Sequence, residues 1–186
     1  MSESLLIKNN NNQLKSLKSN LFIIAVFENK KIDKTIDDFL DGQLSSIIKL
    51  EKFNGKFLKR ISTYSSNNIK RIMVVGLGEK SKYKNEQSRI IGAILSKTIN
   101  NLKLDEVSFD AKSFLLNNEE ISQSFFEGLE LGNYQFLNYK TQDLKENTFK
   151  KVEIFGNYNI GSVSKGSIIG QSVNYARNLG NHPANI

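Results

Sequence analysis

Short apolar runs of strand length recur along the chain and are separated by more polar segments. The clearest run, residues 21–27, reads Leu-Phe-Ile-Ile-Ala-Val-Phe without interruption. A continuous run of this length is typical of a strand that is covered on both faces. The same kind of pattern predicts further strands at residues 57–61, 69–75, 106–109 and 151–155.

Between these runs, apolar residues recur at the three- and four-residue spacing of amphipathic helices. Residues 32–50 predict two short helices that are broken near Asp41 and Gly42. A long helix is predicted from Asn85 to Leu102, and another opens after Asn118, a good N-terminal capping residue. A last helix is predicted over residues 164–179, with Gly180 as a left-handed cap.

Alternating strands and helices of this kind predict an α/β fold with three layers, in which helices flank a mixed, mostly parallel sheet. The only proline, Pro183, lies near the end of the chain, and no linker-like composition divides it. The polar run of residues 9–12 is expected to be an exposed loop. The predicted core comprises Phe22, Ile24, Val26, Ile72, Val74, Val107, Phe109, Val152 and Ile154, covered by Ile91, Ile94, Leu95, Ile121 and Phe125.

The amino-acid composition excludes several classes of protein and of site. The 186 residues include no cysteine, which excludes a disulfide scaffold, a cysteine-ligated metal site and a thiol nucleophile. No apolar run approaches the roughly 20 residues of a membrane span, and the N-terminus lacks the features of a signal peptide. A cytoplasmic protein with no membrane partner is therefore expected.

The net charge of +7 raises the question of nucleic-acid binding. Only four of the 26 basic residues are arginines, and the lysines are scattered along the chain. This distribution favours a solvated surface over a track of phosphate contacts, so nucleic acid is not the expected partner.

The candidate chemical motifs each have a simpler structural interpretation. Gly76-Leu-Gly78 follows a strand, but Ser81 occupies the position where a dinucleotide fingerprint needs its third small residue, so a tight turn is expected. The single histidine, His182, has no readable nucleophile or orienting partner. Asp37 and Asp41 share a helix face, yet they lack the further ligands of a metal site. No catalytic, cofactor-binding or metal-binding residue is therefore assigned.

The C-terminal segment carries a family resemblance. Residues 175–186, Tyr-Ala-Arg-Asn-Leu-Gly-Asn-His-Pro-Ala-Asn-Ile, resemble the A-R-[DN]-L-x-N-x-P-x-N segment of the leucyl aminopeptidase (cytosol aminopeptidase) family. Residues 71–80 resemble the strand of that family that ends in V-G-L-G-K, and residues 127–136 resemble its E-G-x-x-L-x-x-Y-x-F segment. The three segments occur in the family's order, and the match extends from residue 71 to residue 186.

This resemblance implies the N-terminal, macro-domain-like part of a two-domain metallo-exopeptidase, a hydrolase that removes N-terminal amino acids from peptides. The family's enzymes form hexamers and bind two divalent metals, usually zinc, manganese or magnesium, through a C-terminal domain. Their ligand motif N-T-D-A-E-G-R does not occur in this sequence. The resemblance thus implies an N-terminal domain over residues 1–162 and a connecting helix over residues 163–186.

Several expectations follow from that assignment. The chain ends at Ile186 directly after an Asn-x-Pro-x-Asn loop, which predicts an excised domain without peptidase activity or tight metal binding of its own. Its partners are expected to be the catalytic domain and further copies of the chain. Arg177, Asn181 and Asn185 are expected to be structural: Arg177 should favour the carbonyl end of its helix, and the asparagines should satisfy loop backbone groups.

Two other roles remain open. A nucleic-acid-binding module is suggested by the basic charge and by family members that double as DNA-binding regulators. An ADP-ribose-binding macro-type module is suggested by fold analogy alone. Nucleic-acid binding would call for an arginine-rich stripe, which the sequence lacks. ADP-ribose binding would call for a glycine-rich ligand loop with an Asn-bearing motif, which the sequence also lacks.

Overall fold

A six-stranded sheet lies at the centre of the computed structural model, which describes residues 5–10, 17–65, 68–139 and 149–183. The strand order is β1-β6-β5-β2-β4-β3, and every neighbouring pair is parallel except β3 and β4. The predicted mixed, mostly parallel sheet is therefore confirmed. The strands are β1 Leu6–Asn10, β2 Phe22–Val26, β3 Arg60–Tyr64, β4 Arg71–Gly76, β5 Glu106–Asp110 and β6 Lys151–Phe155.

The helices flank this sheet, and three of them begin after a residue whose side chain caps the first turn, namely Asp33, Asn118 and Asn159. The side chain of Asn118 accepts a hydrogen bond from the backbone N–H of Ile121, as expected of an N-cap. Gly42 adopts a φ of 72°, the left-handed conformation that separates the first two helices and favours glycine. The helices in the described residues are α1 Lys34–Phe39, α2 Gln43–Leu50, α3 Asn85–Asn101, α4 Glu119–Asn133 and α5 Ile160–Asn181, with a short 3-10 helix at Lys80–Lys82.

The sheet has two apolar faces, because alternate residues of a strand point to opposite sides. On one face, which we call the long-helix face, Ile23 and Phe109 pack in one cluster with Ile91 of α3 and Phe125 of α4. The other face is covered by the two short helices and is called the short-helix face. Its cluster comprises Leu17, Phe22, Ile24, Val26, Ile36, Leu40, Leu44, Ile69, Ile72 and Val74.

The predicted core residues are buried with one exception, Ile94, which is half-buried. Their expected pairing was wrong in part. Phe22, Ile24 and the other short-helix-face residues are covered by α1 and α2 rather than by α3 and α4. The hydrophobic pattern of β2 shows that both faces are buried, but it does not say which helix covers which face.

Two boundaries in the sheet differ from the sequence prediction. The predicted strand over residues 57–61 lies three residues further along, as β3. Asn9 and Asn10 belong to β1 rather than to a loop, since β1 pairs with β6 and the amide of Asn10 donates a hydrogen bond to Glu153 (3.1 Å). Asn11 and Asn12 lie outside the described residues.

The end of α5 also differs from the prediction. Gly180 lies within the helix, and His182 is the C-terminal capping residue with extended φ and ψ angles of −77° and 133°. The physical reason is Pro183, whose ring disfavours the helical conformation for the residue before it. The helix therefore continues to Asn181 instead of ending at a left-handed glycine.

Candidate functional site

Helix α5 is held against α4 by a polar interface around the buried carboxylate of Glu130. The Oγ atom of Ser167 and the Nε2 atom of Gln171 both donate to Glu130 Oε1, each at 3.1 Å. The side-chain amide of Asn174 donates to the backbone oxygen of Glu130 at 2.9 Å. Burial raises the pKa of Glu130, while the two side-chain donors act in the opposite direction.

The segment 127–136, which carries part of the family resemblance, also fixes α4 to α3. Glu127 forms an ion pair with Arg89, with 2.9 Å between Oε1 and Nε. A Cβ atom added to Gly128 would lie only 2.1 Å from the backbone oxygen of Arg89, so only glycine permits this helix approach. The Glu-Gly pair therefore has a packing role between two helices.

Tyr134 links two of the three segments that carry the family resemblance, residues 127–136 and residues 175–186. Its hydroxyl donates to Asn178 Oδ1 at 2.9 Å and accepts from Asn181 Nδ2 at 3.0 Å. The guanidinium of Arg177 lies 5.6 Å from the centre of the Tyr134 ring and donates to the backbone oxygen of Leu131 at 3.3 Å. Segments 127–136 and 175–186 thus meet in one cluster of contacts.

This cluster revises how the C-terminal residues act. Arg177 donates to α4 rather than to the carbonyl end of its own helix, and Asn181 bonds Tyr134 rather than loop backbone groups. Asn185 lies outside the described residues. The long-range partners could not be read from the sequence, because they are more than 40 residues away from Arg177 and Asn181.

His182 lies in an exposed aromatic group beside this cluster. Its Nδ1 atom is 2.6 Å from the hydroxyl of Tyr139, and its ring centre is 5.5 Å from that of Phe136. The ring of Tyr139 lies at 5.7 Å. The aromatic residues after α4 therefore pack a loop, whereas Phe125 lies in the core, as the sequence predicted.

The Gly76–Gly78 turn is filled by protein backbone. A Cβ atom on Gly76 would lie 2.1 Å from the backbone oxygen of Lys56. The N–H of Gly78 donates to the oxygen of Gly55 at 2.9 Å, and the N–H of Glu28 donates to the oxygen of Gly78 at 2.8 Å. The expected tight strand-to-loop turn is confirmed, and residues 55–57 occupy the space beside it.

The expectation that Asp37 and Asp41 share a helix face is wrong, because α1 ends at Phe39 and only Asp37 lies within it. Asp37 accepts hydrogen bonds from both the backbone N–H and the hydroxyl of Ser45, which links α1 to α2. Asp41 lies in the left-handed turn between these helices, with φ of 52°. Within the part of the chain that is described, no three His, Cys, Asp or Glu side chains are grouped so as to hold a metal ion.

Helix α5 presents an apolar stripe to solvent on the side away from α4. Ile168, Tyr175 and Leu179 are 62%, 58% and 59% exposed. Their spacing of seven and four residues places all three on one side of the helix. We call these three residues the outer stripe of α5. No helix among the described residues has the length and apolar character needed to cross a bilayer.

A cavity of about 540 Å³ opens at the carboxyl ends of β5 and β6, beside the start of α1. Asp110, the last residue of β5, is buried and accepts a hydrogen bond from the backbone N–H of Ser113 at 2.8 Å. Burial raises the pKa of Asp110. Lys112 and Asp33 both line the cavity and form an ion pair at 2.5 Å, and the hydrogen bond from Lys112 lowers the pKa of Asp33.

The hydrophobic pattern of the sequence does not predict this cavity. Asp110 is the last residue of a buried strand and Lys112 comes two residues after it, which is the position where parallel sheets present ligand-binding side chains. That signal was present in the sequence, but Asp33 joins the cavity only because β2 and β5 are neighbours in the sheet.

Comparisons with known proteins agree with the fold and with the position of the resemblance. The family model for the N-terminal domain of the cytosol aminopeptidase family matches residues 23–143. A probable cytosol aminopeptidase of Sulfurihydrogenibium sp. (strain YO3AOP1) is 30% identical over 94% of this chain and 37% of its own length. One from Persephonella marina is 30% identical over 86% of this chain and 34% of its own length.

The fold is likewise similar to a solved structure, that of a tomato leucine aminopeptidase mutant. The TM-score is 0.76 at 18% sequence identity, and the match covers 100% of this chain and 40% of that one. The present chain thus spans little more than a third of the two curated relatives that it matches. On the family match and these relatives, the chain belongs to the cytosol aminopeptidase family and corresponds to its N-terminal domain.

Proposed function

We propose that this chain is a non-catalytic domain of a metallo-exopeptidase that removes N-terminal amino acids from peptides. It supports assembly of that enzyme and access of substrate to it. The single observation that carries the proposal is the outer stripe of α5, which exposes Ile168, Tyr175 and Leu179 on a helix whose opposite side is firmly bound to α4.

The stripe suits a docking role because both its chemistry and its rigidity favour burial. Three large apolar side chains gain free energy when they leave water, at roughly 25 cal/mol per Å² of apolar surface. The polar bonds of Glu130 to Ser167 and Gln171 hold α5 in one orientation, so docking loses little conformational freedom.

The occupant that we propose for the stripe is the catalytic part of the enzyme. The curated relatives are almost three times as long as the segment that they share with this chain. In this proposal, residues 1–162 form the macro-like domain and residues 163–186 connect it to the catalytic part. The parent enzyme carries two divalent metals, zinc or manganese, assembles as a hexamer and works in the cytoplasm.

The test joins this chain to a catalytic part that is already known by sequence. A chimera would carry residues 1–186 in place of the matching 37% of the Sulfurihydrogenibium relative. Leucine-substrate turnover with manganese and the assembly state would be measured for this chimera and for its Ile168→Lys/Leu179→Lys variant. We expect the variant to lose at least about tenfold in activity, together with assembly, because two charges would be buried at the docking surface.

A matched control is available on the other side of the molecule. Leu50 at the end of α2 is 77% exposed, and Leu50→Lys should leave both readouts unchanged. Unfolding by urea of the isolated variants would verify that each still folds. Unchanged activity and assembly in the stripe variant would overturn the docking role.

The second test concerns the isolated chain. Metal-assisted peptide hydrolysis needs ligands that fix the ion and leave an open coordination position. We expect the 186-residue chain to show no turnover of a leucine-based chromogenic substrate with manganese, zinc or cobalt. Turnover that follows the chain's concentration and disappears with a chelator would contradict the non-catalytic assignment.

The role in nucleic-acid binding stays an alternative and is tested separately. A gel-shift titration with duplex DNA at low salt would detect it, since phosphate contacts weaken steeply as salt is raised.

The ADP-ribose-binding alternative concerns the cavity beside β5 and β6. A rise in the melting temperature with millimolar ADP-ribose would favour it.

A further inference from the structure

A second cavity, of about 640 Å³, lies where three helices begin. Its lining includes Asn85, the first residue of α3, Glu119, the first residue of α4, and Gly161, the second residue of α5. The first N–H groups of a helix have no partner within it, so they can donate hydrogen bonds to a ligand. This cavity shares no lining residue with the one beside β5 and β6.

The described lining of this cavity contains no apolar side chain. It comprises nine polar or charged residues and one glycine. The volume falls within the range of small-ligand sites, roughly 300–1,000 Å³. The cavity therefore favours a small ligand that carries charged and hydrogen-bonding groups over an apolar one.

The charges around the cavity cancel, because two basic and two acidic residues line it. One residue of each sign already has a partner. Arg89 forms its ion pair with Glu127 at 2.9 Å, and Glu120 accepts a hydrogen bond from the side-chain amide of Asn85 at 3.0 Å. A ligand with a net charge of either sign is therefore not favoured.

The other two charged residues of the lining are Glu119 and Lys165. Within the described part of the chain, their side chains form neither an ion pair nor a hydrogen bond. The cavity thus offers one free carboxylate and one free ammonium group. This arrangement is complementary to a zwitterion, whose ammonium group pairs with Glu119 and whose carboxylate pairs with Lys165.

Ser124 gives an independent indication that a ligand belongs in the cavity. Its side chain lines the cavity, and the residue is only 3% exposed. Among the described residues, its hydroxyl has no hydrogen-bond partner. Nearly all buried polar groups in folded proteins have a partner, and a ligand in the cavity would supply the one that Ser124 lacks.

We propose that this cavity binds a short zwitterionic peptide with small or polar side chains. Its ammonium group pairs with Glu119, its carboxylate pairs with Lys165 and accepts from the N–H of Gly161, and a peptide carbonyl accepts from the hydroxyl of Ser124. A peptide suits the site better than a free amino acid does, because Glu119 and Lys165 do not pair with each other and the two charges of a peptide lie further apart. The site goes beyond the docking role of α5 and does not rest on it, since the cavity and the outer stripe share no residue.

An NMR titration of the full 186-residue chain tests the proposal with triglycine, N-acetyl-triglycine, triglycine amide and inorganic phosphate as probes. We expect triglycine to shift the backbone amide signals of Ser124 and Gly161 and to bind with a Kd below about 1 mM. Acetylation removes the ammonium group and amidation removes the carboxylate, so each should weaken binding at least about fivefold.

Two serines of α4 provide a matched pair of variants. Ser124→Ala removes the hydroxyl from the lining and should weaken triglycine binding about three- to tenfold. Ser122 is equally buried and its hydroxyl also lacks a partner among the described residues, but it does not line this cavity. Ser122→Ala should therefore bind triglycine within about twofold of the unaltered chain.

A further variant identifies the ligand group that contacts Lys165. Lys165→Gln should weaken triglycine binding at least about fivefold, because the carboxylate loses its charged partner. The same variant should bind triglycine amide within about twofold of the unaltered chain, since that probe has no carboxylate to lose. Equal weakening of both probes would contradict the pairing of Lys165 with the ligand carboxylate.

Three further results would overturn the assignment. Absence of triglycine binding at millimolar concentration would remove the site, and phosphate that binds as tightly as triglycine would reduce it to an anion site. Equal weakening by Ser124→Ala and Ser122→Ala would contradict the contact with Ser124. Urea unfolding of each variant verifies that it is folded, and none of these results depends on the chimera experiment.

Discussion

The two faces of the sheet are covered in very different ways. The long-helix face is packed by α3, α4 and α5, of 17, 15 and 22 residues, and the aromatic rings of Phe109, Phe114, Phe125 and Phe126 meet within it. The short-helix face is covered by α1 and α2, of six and eight residues, over β2 and β4. Among the described residues, three long helices therefore lie on one side of the sheet and two short helices lie on the other.

The two sides of the sheet also differ in the polarity of the residues that they bury. On the long-helix face, α3 and α4 approach closely at Gly128. The hydrogen bond from Ser167 to Glu130 holds α5 against α4. On the short-helix face, β5 and β6 present Ser108, Asp110 and Glu153, so this part of the sheet is polar. The cavity of about 540 Å³ at the carboxyl ends of β5 and β6 lies beside the start of α1, and Asp110 and Ile36 both line it.

The largest expected effect tests the packing of the long-helix face. Phe125→Ala should lower the free energy of unfolding by about 3–5 kcal/mol, because the ring lies 5.0–5.5 Å from three other phenylalanine rings and is fully buried. Leu44→Ala on the short-helix face should cost about 2–3 kcal/mol, because it removes a smaller buried side chain that forms no aromatic ring pair. Urea denaturation of both variants gives the comparison, and a loss below about 1 kcal/mol for Phe125→Ala would contradict it.

The second prediction concerns the close approach of α3 and α4. Gly128→Ala should destabilise by about 1–3 kcal/mol, because the new methyl group would overlap the backbone oxygen of Arg89. Gly180→Ala is the matched control, since it lies in α5 with no atom within 4 Å of the added Cβ. That control should stabilise by about 0.5–1 kcal/mol. A similar effect of both substitutions on the urea midpoint would argue against the steric explanation.

The third prediction concerns the start of α1 on the short-helix face. Asp33 accepts a hydrogen bond from the N–H of Thr35 at 2.9 Å and pairs with Lys112. Asp33→Ala should cost about 1 kcal/mol, because it removes the N-terminal cap. Asp33→Asn keeps the cap and loses only an exposed ion pair, so it should cost less than Asp33→Ala. Thermal unfolding measures both, and equal losses would show that the ion pair rather than the cap is important.

The smallest expected effect is a difference in pH dependence between the two faces. Burial raises the pKa of Glu130, so the folded chain binds this proton more tightly and the contribution of Glu130 to stability falls as pH rises through its unfolded and folded pKa values. The pKa of Asp33 is lowered by Lys112, so its contribution is present above the unfolded pKa and is lost as pH falls.

Two variants distinguish the pH dependence of stability that Glu130 contributes from that which Asp33 contributes. For each variant, we compare its free energy of unfolding with that of the unaltered chain at the same pH. For Glu130→Gln this difference should become more favourable to the variant between pH 4 and pH 7. For Asp33→Asn it should become less favourable over the same range. Urea midpoints between pH 3 and pH 7 would measure the differences, with the exposed Glu119→Gln as the control. If both differences changed in the same direction between pH 4 and pH 7, the pKa values of Glu130 and Asp33 would not be shifted in opposite directions.

The sequence alone determined most of the elements. The apolar run at residues 21–27, the capping residue Asn118 and the break at Gly42 each correspond to a structural feature. These signals are local, because strand burial, capping and left-handed turns depend on residues within one or two turns of each other. The family resemblance likewise depended on short segments that could be read directly.

Only the tertiary structure decided which surfaces meet. The period of β2 encodes two buried faces, but the assignment of α1 and α2 to one of them depends on strand order. Glu130 finds Ser167 at a separation of 37 residues, and Asp33 finds Lys112 at a separation of 79 residues. Hydrophobic periodicity specifies that a side chain is buried and not what it contacts, so both the α4–α5 interface and the cavity at the carboxyl ends of β5 and β6 arise from the folded arrangement.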